Sequence, residues 1–76
     1  MSNEPTIALS ALRHGVTIED ILYAWRNPMD YWPAEDGFTM LIGPSRSGHI
    51  LEIGVFETAS QLRVIHAMSA RQKYLR

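Results

Sequence analysis

The sequence predicts an α+β domain: two N-terminal helices packed on an antiparallel meander of three or four strands. Three observations predict it. Apolar residues recur at helical spacing before residue 28. They alternate at strand spacing after it, with Asn27-Pro28 marking the change of period, since proline disfavours helical geometry in the residue before it. Asp36-Gly37, the Pro44 to Gly48 stretch and Thr58-Ala59 then cut the second half into strand-length pieces.

Taken in order, residues 1–5 read as a tail. Residues 6–13 place Ile7, Ala8, Ala11 and Leu12 on one side of a short helix, which His14-Gly15 closes because glycine enters the left-handed region at little cost. Thr17 is an N-cap, with Glu19 and Asp20 where the helix dipole favours negative charge. Ile18, Ile21, Leu22 and Trp25 are the apolar stripe of the second helix. Residues 29–32 form a short strand before Pro33, and residues 34–37 a turn. Residues 38–43, 49–57 and 61–68 are the main strands, and residues 69–76 are a last short helix or a trailing arm.

With 76 residues the chain holds one domain, 1–76. Hydrophobic residues at 46 % and charged residues at 20 % exclude wholesale disorder. A domain this small has little stability to spare and often leans on a staple or a partner. The absence of cysteine removes disulfides and thiolate metal sites, which leaves a partner. No apolar run reaches the roughly 18 residues of a membrane span, and no secretory signal is read at the N-terminus, so a cytoplasmic protein without membrane contact is expected. The net charge of −1 hides an asymmetry. Residues 1–37 carry two basic and six acidic side chains, residues 38–76 five basic and two acidic. The basic half suits an anion, although a solvated mixed surface has the same composition.

A register pairing Val55 with Leu62, Ile53 with Val64 and Leu51 with His66 keeps the apolar sets of the last hairpin together. It directs Leu51, Ile53, Val55, Leu62, Val64 and Met68 toward the helices. The opposite face holds Glu52 and Arg63 beside Ile50, Phe56 and Ile65. Two helices cover one face, so this second face is expected to be bare and to take a partner through Ile50, Phe56 and Ile65; a homo-oligomer is one form of that contact.

Catalytic motifs of the familiar kinds are missing. The glycine-flanked Pro44 to Ser47 stretch lacks the lysine and following helix of a phosphate loop, and there is no His-Glu-x-x-His. His14 either caps a helix or takes part in chemistry. His49 and His66 share a face in this register, but no third ligand accompanies them, so no metal and no cofactor is expected. His66 is a hydrogen-bonded core-edge histidine or a general acid–base. Arg63 is a cross-strand ion-pair partner of Glu52 or a catalytic cation. Trp25, Tyr31 and Trp32 fill the core or stack on bases.

The order of these segments resembles the BrnT-type toxins. Residues 13–21, Arg-His-Gly-Val-Thr-Ile-Glu-Asp-Ile, resemble that family's Lys-His-Gly-Val-Ser-Phe-Glu-Glu-Ala opening, and Asn27-Pro28 falls where the family has Asp-Pro. Residues 41–53 resemble its Ile-Gly-Arg-Ser hairpin, and Arg63-Val64-Ile65-His66-Ala67 resembles its Arg-Ile-Ile-Ser-Ala strand. The likeness spans residues 13–71. It implies a RelE-like fold and the toxin of a type II toxin–antitoxin pair: a metal-independent endoribonuclease whose partners are RNA and a cognate antitoxin. On that reading Arg63 and Arg71 hold the phosphate, His66 or His14 moves protons, and Arg46, Lys73 and Arg76 bind RNA. The register above sets His66 and Arg63 on opposite faces, so they serve one site only if a bulge intervenes. The alternative is a non-enzymatic interaction module of the same fold, binding a partner protein through its apolar sheet face.

Overall fold

Thr17 starts the helix α1, Ile18–Arg26, as its spacing predicts. The threonine hydroxyl accepts from the Asp20 backbone N–H at 3.2 Å, while Glu19 and Asp20 occupy the first turn and Arg26 the last. Ile21 and Ala24 are fully buried, and Ile18 stays exposed. The helix lies against a five-stranded sheet in a computed structural model that describes residues 4–75. The strands are β1, Thr6–Ile7; β2, Asp30–Pro33; β3, Phe38–Pro44; β4, Ile50–Glu57; and β5, Leu62–Ser69. Their order is β1-β5-β4-β3-β2. The fold is therefore α+β, with one α-helix among the described residues. No helix among the described residues is long and apolar enough to cross a membrane.

The expected first helix is absent. Thr6 and Ile7 instead pair in parallel with Arg63 and Val64, and the chain then makes only a 3-10 helix, Leu9–Leu12. Both Thr6 and Ile7 are β-branched, and no side chain caps the four residues that follow. This parallel edge strand makes the sheet mixed rather than an antiparallel meander. β2 to β5 are successive antiparallel neighbours, and the β2–β3 turn places Asp36 and Gly37 at φ 60° and 82°, the left-handed geometry that the Asp-Gly pair tolerates.

The register of the last hairpin also differs from expectation. Val55 pairs with Val64 and Gly54 with His66, so Ile65 is an extra residue bulged out of the ladder. Beyond the bulge, Ile53 meets Ala67 and Leu51 meets Ser69. An unbroken alternation from Val64 would drive the His66 imidazole into the core, where a polar ring without a partner is costly. The bulge keeps Val64 and Ala67 inward and turns His66 and Met68 outward. Ser10 donates its hydroxyl to the Ile65 carbonyl at 2.6 Å, so the 3-10 helix also serves the disturbed backbone.

The inner face forms the core: Ile21 and Ala24 pack with Leu41, Leu51, Ile53 and Val64. Gly43 permits the close approach, because a Cβ there would lie 2.6 Å from the Ala24 carbonyl oxygen. The outer face is not bare. Met40, Ile42 and Glu52 on it are buried. The C-terminal segment folds back over them, ending in a 3-10 helix, Gln72–Tyr74, whose Tyr74 ring meets Trp32 edge-on at 5.7 Å. Of the segment expected as a last short helix or a trailing arm, Ser69 still belongs to β5 and only Gln72–Tyr74 make a helical turn, which is docked.

Candidate functional site

Glu52 is the one acidic residue in the apolar run of β4, and its side chain is 0 % exposed. A buried carboxylate needs partners for both oxygens. Arg71 supplies most of them. Its backbone N–H donates to Oε1 at 2.8 Å, its Nε to Oε1 and Oε2 at 3.0 and 3.1 Å, and its Nη2 to Oε2 at 2.8 Å. This is the forked geometry that suits guanidinium and carboxylate. His66 Nε2 lies 2.8 Å from Oε2. Burial pushes the Glu52 carboxyl up, but the Arg71 hydrogen bonds outweigh it together with His66, and the net result lies below the ordinary value. The same contact holds the Arg71 guanidinium above its ordinary value. An ionised carboxylate only accepts, so His66 Nε2 carries a proton, and in the neutral ring Nδ1 is the basic nitrogen.

The chain brings a second imidazole to this point. The 3-10 helix crosses the β5 edge where β1 has ended, and His14, just beyond it, sets its ring edge-on to His66 at 5.8 Å. Gly54, opposite His66, leaves the space above the sheet: a Cβ there would stand 3.0 Å from the His66 Cβ and 2.9 Å from the Phe38 ring. The His66 and Arg71 side chains are 27 % and 48 % exposed, so solvent reaches the cluster from the side away from Glu52.

His14, His66 and Arg71 thus converge, and Glu52 is the hub that the sequence reading missed. Its signal was an acid set inside the apolar run from Ile50 to Phe56. Arg63 is exposed and stands across from Phe56, not Glu52, so the expected Arg63–Glu52 pair is replaced by Arg71 and His66. The bulge puts Arg63 and His66 on the same face, with Gly54 and Phe56 as their partners two residues apart on β4, about 7 Å. Lys73 is exposed, with its ammonium 5.1 Å from the centre of the Tyr74 ring. Arg46 is tied away from this cluster: its backbone N–H and Nε donate to Asp20 at 3.0 and 2.8 Å. Arg76 lies outside the described residues.

The three apolar residues of the expected partner face do not form one patch. Ile50 and Phe56 lie at opposite ends of β4, about 20 Å apart, and Ile65 is the bulge. All three are half-buried. His49 bonds to Ser69 at 2.7 Å and does not share a face with His66. Among the described residues, no group of three or more histidine, cysteine, aspartate or glutamate side chains is placed to hold a metal. Trp25 packs on the core, whereas Tyr31 and Trp32 alternate to opposite faces of β2 and so cannot form one stacking platform. Searches with the whole chain match no family model, no curated protein and no solved structure.

Proposed function

We propose that this chain is a metal-independent endoribonuclease of RelE-like fold, the toxin of a type II toxin–antitoxin pair acting in the cytoplasm. The order of the BrnT-like segments motivates the family. The observation that carries the chemistry is the His66 imidazole held at 2.8 Å by buried Glu52, with the His14 ring and Arg71 beside it. RNA brings its own nucleophile. His66 takes the proton of a 2′-hydroxyl through its free nitrogen, and Glu52 orients the ring and stabilises the imidazolium. The 2′-oxygen bonds to phosphorus, the bond to the 5′-oxygen breaks, and His14 protonates that leaving oxygen. The product is a 2′,3′-cyclic phosphate. Arg71, through the part of its guanidinium not engaged by Glu52, and Arg63 neutralise the charge that builds on the phosphoryl oxygens.

A specific observation favours a second reading. Glu52 is completely buried and draws Arg71 inward, which fastens the C-terminal turn over the outer face. On that account the network is a structural staple in a module that binds a partner protein. Growth after induced expression, with purified protein assayed on RNA in parallel, decides between them. Arrest and cyclic-phosphate products that both disappear in His66→Ala, at unchanged melting temperature, support the nuclease. Wild-type protein that neither arrests growth nor cuts RNA moves the weight to the interaction module.

A further inference from the structure

Beside the His14–His66 contact lies a hollow of about 330 Å³ that His14 lines but Glu52, His66 and Arg71 do not. His14 and Gly15, the first turn of α1, the loop after β3 and the end of β5 border it, and it is open to solvent. We propose that this hollow binds the phosphate of the nucleotide next to the scissile one. The proposal rests on the ribonuclease reading and names a subsite for its substrate.

Four features fit a nucleotide phosphate. The volume lies within the range of small-molecule pockets. The polar lining is rich in donors: the imidazoles of His14 and His49 and the hydroxyls of Ser45, Ser47 and Ser69. These groups are already ordered. His49 Nε2 lies 2.7 Å from the Ser69 hydroxyl, the His49 backbone N–H donates to Ser45 Oγ at 3.1 Å, and the Ser45 and Ser47 hydroxyls are 3.0 Å apart. Asp20, the acid in the lining, is neutralised by its ion pair with Arg46. Each hydroxyl offers one donor and two lone pairs, so the serines can turn a donor to an incoming oxygen while keeping a partner. His14 belongs to both the hollow and the cluster, which fixes the direction in which RNA leaves the cleavage point.

The test is titration of wild-type protein with adenosine 3′-monophosphate, following the imidazole proton resonances of His14, His49 and His66. Saturable shifts at His14 and His49 are expected. His49→Ala should weaken binding about fivefold or more, the worth of one or two hydrogen bonds. On a short RNA the same variant should raise KM by a similar factor at unchanged kcat and melting temperature, with His49→Asn restoring part of the loss. Shifts confined to His66, or an unchanged KM in His49→Ala, overturn the subsite while leaving cleavage intact. Equal affinity for inorganic phosphate and the nucleotide also overturns it, because the hollow then holds a bare anion. RNA left uncut by wild-type protein that still shows the His14 and His49 shifts overturns the nuclease reading alone.

Discussion

Two carboxylate–arginine pairs in this small domain have similar chemistry and opposite settings. Asp20 and Arg46 meet on the surface, where a helix N-terminus faces the loop after β3. Glu52 and Arg71 meet over the sheet, with the carboxylate fully buried and the guanidinium half out. Water can replace either partner at the first pair, so removing one leaves nothing stranded. At the second, any loss leaves a buried charge or a buried void. The location, more than the ion-pair distance, decides what each pair does: one trims a surface, and the other holds an imidazole and a chain terminus in place.

The widest expected separation between the pairs is in rate. Glu52→Gln keeps the shape but not the charge that orients His66, so on the proposed ribonuclease reading cleavage of RNA should fall by about 10² or more. Asp20→Asn, outside the cluster, should leave kcat where it is and act only on KM, through the hollow that Asp20 lines. Equal rates in the two variants would reduce Glu52 to a staple. Arg63→Ala tests the same site from the exposed side of the face, and a loss of about 10² to 10³ in rate at constant melting temperature is expected if it meets the reacting phosphate.

Stability separates the pairs next. Glu52→Ala removes a buried hub and leaves a hole, and chemical denaturation should show a loss of about 2–4 kcal/mol. Asp20→Ala should shift the denaturation midpoint only slightly. Acid sharpens the contrast. The folded Glu52 carboxyl lies below its ordinary value of 4.5, so its contribution is complete above that pH and is lost as pH falls through the lower folded value. Wild type should therefore lose its advantage over Glu52→Gln on acidification below about pH 4. A gap between the two that is constant from pH 7 to pH 3 would contradict the ionised, stabilised carboxylate. The smallest effect is salt: raising ionic strength should erase any residual contribution of Asp20–Arg46 and leave Glu52–Arg71 nearly unaffected, since buried pairs are poorly screened.

Much of the frame was legible. Thr17, the acids of the first turn and Asn27-Pro28 mark α1 within a residue of its observed ends, because caps and breakers act locally. Asp36-Gly37 and the alternating runs mark β3, β4 and β5 for the same reason. The site was legible in part. His14, His66 and Arg71 were singled out, but their meeting point was not, since it depends on Ile65 bulging and on Glu52 being buried.

Local chemistry in the chain determined where the helix starts and stops, where strands run and where turns fall, because each depends on a few adjacent residues. The tertiary structure alone decided three things. Thr6-Ile7 became a strand because β5, from the far end of the chain, offered an edge to pair with. The ladder took a bulge at Ile65 because the core accepts Val64 and Ala67 but not an imidazole. Residues 71–75 docked because Glu52, once covered by the fold, required a cation, and Arg71 could reach it. Each of these is an exchange between groups distant in sequence, and its free energy exists only when the other partner is already in place.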